Sequence, residues 1–299
     1  MSDTVEQATI GVIGGSGLYA MEGLVDVQEV RLSTPFGEPS DAIVTGRLGA
    51  LRFAFLPRHG RGHRLSPSEV PARANVYALK TLGVKRIISV SAVGSMREQI
   101  APLDLVVPDQ LFDRTRSRPS SFFGDGIVAH VGFADPFCPD VSASLVATAQ
   151  SLGIRTHASG TYVCIEGPQF STKAESRIYR SWGVDIIGMT ALPEAKLARE
   201  AEICYATLAF ATDYDVWHAG AESVTVEMVI RNLSANVGNA KRIINAIVPR
   251  LASPSTCSCG SALRDAIITS RDRIPDESRR RLAPLIGRYL PDTSIEETH

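Results

Sequence analysis

Apolar residues follow two rhythms along the chain. Short runs bounded by glycine, proline or polar residues fall at 10–13, 42–45, 53–56, 86–91, 105–107, 160–164, 186–188 and 205–211. Runs of this length predict strands of a sheet covered on both faces. Between several of them apolar positions recur at helical spacing: Val76, Leu79 and Leu82 after Pro71, and further stripes within 141–152, 173–182 and 224–251. Strands separated by helices predict an α/β chain with a central, largely buried sheet. No fixed-period repeat and no low-complexity linker interrupts the first 250 residues, so one domain is expected over 8–252. Beyond Pro254 the composition changes. Residues 253–299 read as a C-terminal extension carrying Cys257-Ser258-Cys259, a helix expected from about Ser261, the basic run Arg279–Arg281 and an acidic end.

Composition narrows the function classes. A chain of 299 residues, 44% hydrophobic and 21% charged, can bury a large core. A formal net charge of −1 supplies no general attraction for nucleic acid or an anionic membrane, so an anion site must be built locally. No run approaches the ~18 apolar residues of a membrane helix, and the polar start at Met1–Gln7 has no signal-peptide core, which makes the cytoplasm the expected location. The five cysteines do not resemble the disulfide framework of a small secreted domain.

Candidate chemistry follows the strands. Gly14-Gly15-Ser16-Gly17 directly follows the first apolar run, and a glycine turn there leaves backbone N–H groups free to cup an anion, with the Ser16 hydroxyl added. Such turns also occur where nothing binds. Arg58-His59-Gly60-Arg61-Gly62-His63-Arg64 follows another strand and sets cationic and directional donors beside glycines, which suits phosphate or carboxylate. A solvated basic loop and a nucleic-acid patch are the competing readings. A metal at His59 and His63 needs ligands that the neighbouring sequence does not supply. Ser91-Ala92-Val93-Gly94-Ser95 ends a third strand with small residues, where open α/β sheets place ligands. Asp213 and Asp215 close a fourth, and in extended geometry their spacing points both carboxylates to one side. They suit hydrogen bonds from an amino-bearing heterocycle or an acid acting on a leaving group. A helix-cap aspartate and a metal-binding pair remain alternatives. Phe170 is a candidate for stacking on a ring.

Taken together, IGVIGGSGLY, STPFGEPSDA, RHGRGH, SAVGS, ADPFCP, CIEGPQFST, GMTALPEAKLA and ATDYDVW, in that order over 8–250, resemble the methylthioadenosine phosphorylase family of the trimeric purine nucleoside phosphorylase superfamily. The resemblance implies a single α/β domain with a mixed, twisted, partly barrel-like sheet flanked by helices, and a homotrimer or dimer of trimers with active sites near subunit interfaces. It implies phosphorolysis of methylthioadenosine to adenine and 5-methylthioribose 1-phosphate in purine and methionine salvage. Inorganic phosphate is then a co-substrate, and no metal or organic cofactor is needed. Ser16, Arg58, His59, Ser91, Ala92 and Thr190 fall at the family's phosphate positions. Phe170 falls at the base-stacking position, Met189 beside the ribose, and Asp213 and Asp215 at the purine-recognising positions, with Asp213 the candidate acid at N7. Relatives handling 6-oxopurines typically carry Asn for the first aspartate, so two aspartates favour a 6-amino purine. Val226, Val229 and Ile230 match the pocket for the 5′ substituent, where nucleoside-preferring relatives carry a histidine at the position of Val229. His130 matches a residue reaching this pocket from the neighbouring subunit. Ser16 and Ser91 stand where threonine is common, and 255–299 is an addition to the animal pattern. Its Cys257-Ser258-Cys259 resembles a Cys-X-Cys of archaeal relatives that can form a disulfide, whereas zinc lacks a second cysteine pair after it.

Three further readings are weighed. A broader 6-aminopurine nucleoside phosphorylase, acting on adenosine, fits the same motifs. Gly15-Ser16-Gly17-Leu18-Tyr19-Ala20 also fits a relaxed dinucleotide fingerprint of an NAD-dependent oxidoreductase. A Rossmann helix should then follow directly, but 21–30 has no helical stripe and Thr34-Pro35-Phe36-Gly37 intervenes. A non-catalytic nucleoside-binding protein on the same fold is the third.

Overall fold

The computed structural model describes residues 9–15, 17–18, 20–218, 226–253 and 256–290, without the side chains of 226–231, 233 and 234. Eleven strands form one mixed sheet: β1 (Ile10–Gly14), β2 (Val25–Val30), β3 (Ile43–Leu48), β4 (Leu51–Pro57), β5 (Arg86–Ser95), β6 (Leu105–Val106), β7 (Gln110–Arg114), β8 (Thr156–His157), β9 (Thr161–Ile165), β10 (Ile186–Gly188) and β11 (Cys204–Asp213). The helices are α1 (Ala72–Thr81), α2 (Pro139–Ser151), α3 (Lys173–Ser181), α4 (Ala191–Glu200), α5 (Val226–Ala246), α6 (Val248–Leu251) and α7 (Asp276–Ile286). Among the described residues no helix is long and apolar enough to cross a membrane.

The buried strands and four of the helices lie where apolar patterning predicts them. β2 and β7 do not appear in that pattern because their sequences, VDVQEV and QLFDR, are largely exposed edge strands. α4 was not expected either, since Pro193 sits in its first turn. The single helix expected over 224–251 divides into α5 and α6, with Pro249 in the first turn of the second. In the tail the residues after Ser261 form turns, and the helix begins only at Asp276.

Period-2 alternation sorts the sheet into two faces. Ile13, Ala54, Leu56 and Ile87 pack with α1, α4 and the tail residues Leu263, Ile274, Leu282 and Leu285. Val12, Phe53, Phe55 and Ile88 pack with α2 and with Ala240, Ile243 and Ile244 of α5. Both faces are therefore covered, which is why the central strands read as continuous apolar runs.

β5 is the branch point. Its first half, Arg86–Ser89, pairs in parallel with β1, while Gly94 and Ser95 pair antiparallel with β10. Along its other edge it runs parallel to β11. β1 departs before β10 arrives, so the sheet splits beside residues 90–93, at the carboxyl ends of β1, β4 and β11. Open α/β sheets bind ligands at such a change of direction.

Candidate active site

The split opens into a cavity of about 450 Å³. Its anion end is lined by the glycine turn after β1, the residues after β4 and the middle of β5. Gly14 sits in tight packing: a Cβ there would lie 2.4 Å from Leu18 Cδ1, which would have to turn aside, and 3.2 Å from Val90 Cβ. Ser16 lies outside the described residues. Ser91 and Thr190 share a hydrogen bond between hydroxyls at 2.8 Å, and the Tyr162 hydroxyl is 3.4 Å from Thr190 Oγ1. The Ser91 and Thr190 hydroxyls give the anion end neutral donors.

Arg58 borders the same end, but its charge is already engaged. Nε donates to Glu194 Oε1 at 2.5 Å, Nη2 to Ser89 Oγ at 2.7 Å, to Glu194 Oε2 at 3.1 Å and to the Ile13 carbonyl at 3.3 Å, and Nη1 to the Val90 carbonyl at 2.9 Å. Of the five N–H groups of a guanidinium, one on Nη1 is left for a ligand. Burial works against the Arg58 cation, and the Glu194 carboxylate more than offsets it. Glu194 also accepts from Ser89 Oγ and from the Tyr205 hydroxyl. Arg58 thus acts first as the strut that holds β1, β4, β5 and α4 together.

His59 supplies a different function. Nδ1 lies 2.9 Å from the Leu65 carbonyl, which can only accept, so Nδ1 carries the hydrogen and Nε2 is left as an acceptor. Burial and the neighbouring Arg58 charge push its pKa down to about 4, so the ring is neutral at pH 7. His63 stacks on it with ring centroids 4.3 Å apart.

Asp213 and Asp215 stand at the other end, both nearly fully buried. They face one cavity for a reason other than strand alternation. The ladder shifts register between Ala211 and Asp213, β11 ends at Asp213, and Asp215 starts a 3₁₀ turn with φ +50°. A turn, not an extended backbone, brings them together. Asp213 Oδ1 accepts from the Asp215 amide at 2.8 Å and Oδ2 from Thr212 Oγ1 at 2.7 Å, while Asp215 Oδ2 accepts from Ser176 Oγ at 2.5 Å. Burial raises the pKa of both carboxyls, and the charge of Asp213 adds to the effect at Asp215. Gly94 makes room for them, since a Cβ there would lie 3.1 Å from Asp213 Oδ1. Among the described residues neither this pair nor the His59–His63 pair belongs to a larger cluster of metal-ligating groups.

Phe170, half-exposed, lines the cavity, as does Met189, whose carbonyl accepts from Arg118 Nη1 at 2.6 Å. Arg118 also donates to the Ile165, Glu166 and Leu192 carbonyls and so fixes the wall on that side. His130 is exposed, its amide donates to the Ala266 carbonyl, and it does not line this chain's cavity. Val226, Val229 and Ile230 lie on α5, but their side chains fall outside the described residues.

Two lining residues were missed by sequence reasoning. Asn236 is 2% exposed with neither amide atom partnered, and Ser171 Oγ is likewise buried without a partner. Such groups cost stability unless a ligand satisfies them. Asn236 had a signal: it shares the helical stripe of Ala240, Ile243 and Ile247, where an asparagine is out of place. Ser171 had none. Glu194 and Arg118 were missed because their partners are distant in sequence.

A cavity with hydrogen-bond donors at one end and buried carboxyls of raised pKa at the other suits an anion placed beside a nitrogen-bearing ring. Comparisons with known proteins agree with that geometry. An S-methyl-5′-thioadenosine phosphorylase of Geobacter sulfurreducens is 58% identical over 285 residues, 95% of this chain and 100% of the relative. That of Chloroflexus aurantiacus is 60% identical over 286 residues, 95% of this chain and 99% of its own. Such coverage takes in most of the tail, so most of 255–299 is shared with bacterial relatives. A methylthioadenosine phosphorylase sourced from an antarctic soil metagenomic library superposes with a TM-score of 0.90 at 53% identity, covering 94% of this chain and 99% of that one. The enzyme of Schistosoma mansoni in complex with adenine superposes at 0.81 with 36% identity, covering 86% and 96%. The family model described as the phosphorylase superfamily matches residues 9–249, the stretch that contributes every cavity-lining residue, and the chain belongs to that superfamily.

Proposed function

We propose that the chain catalyses phosphorolysis of 5′-methylthioadenosine, giving adenine and 5-methylthioribose 1-phosphate. The observation that carries this reading is one cavity joining the Ser91–Thr190 hydroxyls and His59 to two buried carboxyls, Asp213 and Asp215. Phosphate is assigned to the first end, held by the β1 turn amides, those hydroxyls and the remaining Arg58 N–H. The purine is assigned to the second. Asp215 Oδ1 accepts from the 6-amino group, and a protonated Asp213 donates to N7. As a phosphate oxygen bonds to C1′, the electron pair of the C1′–N9 bond moves onto the purine, where the Asp213 proton stabilises it. Solvent then restores that proton. Burial helps by favouring the protonated form of Asp213, and alignment of phosphate with C1′ supplies the rest. No metal or organic cofactor takes part in these steps.

Val226, Val229 and Ile230 are assigned to the methylthio group. A homotrimer is inferred as well, supported by Phe170 standing half-exposed and by His130 lying outside the lining of its own chain's cavity. The deciding experiment follows adenine release from methylthioadenosine and from adenosine, with and without phosphate. Phosphate-dependent release, faster for methylthioadenosine by about 10–200-fold from burial of the apolar group, is expected. Release without phosphate, or none at all, overturns the proposal. Equal rates on the two nucleosides indicate the broader 6-aminopurine activity, and Val229→His is expected to narrow the preference.

A further inference from the structure

The tail cysteines and two cysteines of the domain converge. Cys138 precedes α2, Cys204 opens β11, and Cys257 and Cys259 flank the start of a 3₁₀ turn in the tail. All four Sγ atoms lie within 4.8 Å of one another, with Cys204 and Cys257 3.4 Å apart. Cys138, Cys204 and Cys259 are buried and Cys257 is half-buried. The sequence argued against zinc because no second cysteine pair follows Cys257-Ser258-Cys259. The second pair precedes it, divided between two elements that only the fold brings together.

Thiols used merely as small apolar groups have no reason to meet at one point. A tetrahedral ion does require it: Zn–S bonds of ≈2.3 Å place the sulfurs about 3.8 Å apart. Soft thiolates select zinc over the hard cations, and a multi-iron cluster needs its cysteines spread wider than this. The surroundings suit anionic sulfur. Cys138 is the N-cap of α2, where the aligned peptide dipoles favour negative charge. Asp140 orients the tail beside it, its Oδ2 accepting from the Thr256 amide at 2.7 Å and the Cys257 amide at 3.0 Å. Ligand-orienting hydrogen bonds of this kind accompany metal sites.

We propose that Cys138, Cys204, Cys257 and Cys259 form a structural Zn²⁺ site that ties the tail to the start of β11 and of α2. Each ligating thiol gives its proton to solvent on binding, and nothing is oxidised or reduced. All four positions are protein ligands, so no open position remains for catalysis. Cys204 and Asp213 are opposite ends of a 10-residue strand, roughly 30 Å apart at ~3.3 Å per residue, so the ion acts on the fold and not on the cavity.

The test uses the full chain, purified under reducing conditions without chelator. Elemental analysis is expected to give about one zinc per chain, released when a mercurial titrates the thiols. Metal-free reduced protein titrated with Co²⁺ should develop the visible bands of a tetrahedral thiolate site, with saturation at one equivalent per chain. Chelation should lower Tm while turnover, measured well below that temperature, persists. Cys257→Ser combined with Cys259→Ser should lose the metal and keep turnover. Absence of zinc together with no cobalt spectrum in the folded wild-type chain overturns the proposal. So does an intact mass showing these cysteines joined as disulfides. Because the metal titration is made on wild-type protein, failure of the double variant to fold would not remove the test.

Discussion

Asp213 and His59 owe their chemistry to what water is denied them. Burial raises the Asp213 carboxyl toward protonation, and its two fixed hydrogen bonds, which oppose that shift, aim it. Asp213→Asn should lower kcat/KM for methylthioadenosine by about 10–100-fold, since one mismatched buried polar group costs ~1–3 kcal/mol. The same change should improve relative use of inosine, because an amide's two N–H donors can serve N7 and a 6-oxo oxygen together, whereas a carboxyl has one proton to donate. An unaltered ratio of adenosine to inosine turnover would remove Asp213 from the base site. At His59 burial and the Arg58 charge act in the opposite sense. The native ring binds its proton only near pH 4, whereas in the unfolded chain it does so at its ordinary 6.5. Stability is therefore full above pH 6.5 and falls between 6.5 and 4. The loss is about 2–3 kcal/mol once partial exposure is allowed for. Tm measured across that window should fall less steeply in His59→Gln than in wild type, and equal slopes would contradict the assignment.

At the scale of elements, α3 shows how a helix end is tied to chemistry. Thr172 caps it: its Oγ1 accepts from the Glu175 amide, and Glu175 Oε2 accepts from the Thr172 amide at 2.8 Å. The first turn fixed in this way carries Ser176, the donor to Asp215. Thr172→Ala should cost about 1 kcal/mol of stability, read as a shift in denaturant midpoint. It should also raise KM for the nucleoside while leaving KM for phosphate unchanged. Equal effects on both would mean that α3 does not serve the base end. The cap was legible, since Thr-x-x-Glu precedes a helical stripe. Its link to Asp215 was not, because it spans 39 residues.

Across the whole molecule the Arg58–Glu194 pair does what no single element does. The two side chains are buried and draw β1, β4, β5, α4 and β11 around the anion end. Glu194→Gln leaves the Arg58 charge without its carboxylate, at a cost of about 3–5 kcal/mol, and should lower Tm before it alters phosphate KM. A stable variant with only a weakened phosphate requirement would show Arg58 to be chiefly a ligand. Sequence alone determined the α/β class, most buried strands, and the stretches that line the cavity. Those follow from local periodicity and from glycine, aspartate and histidine placed at strand ends, which short segments carry by themselves. Only the tertiary structure decided that Arg58 is a strut, that a turn unites Asp213 with Asp215, that Asn236 looks into the cavity, and that four scattered cysteines meet. The Arg58 pairing and the cysteine cluster join segments distant in sequence, through the branching of the sheet at β5 and the return of the tail, while the aspartates depend on a turn and Asn236 on what stands opposite α5. Periodicity records which face of an element is buried, not what lies opposite it.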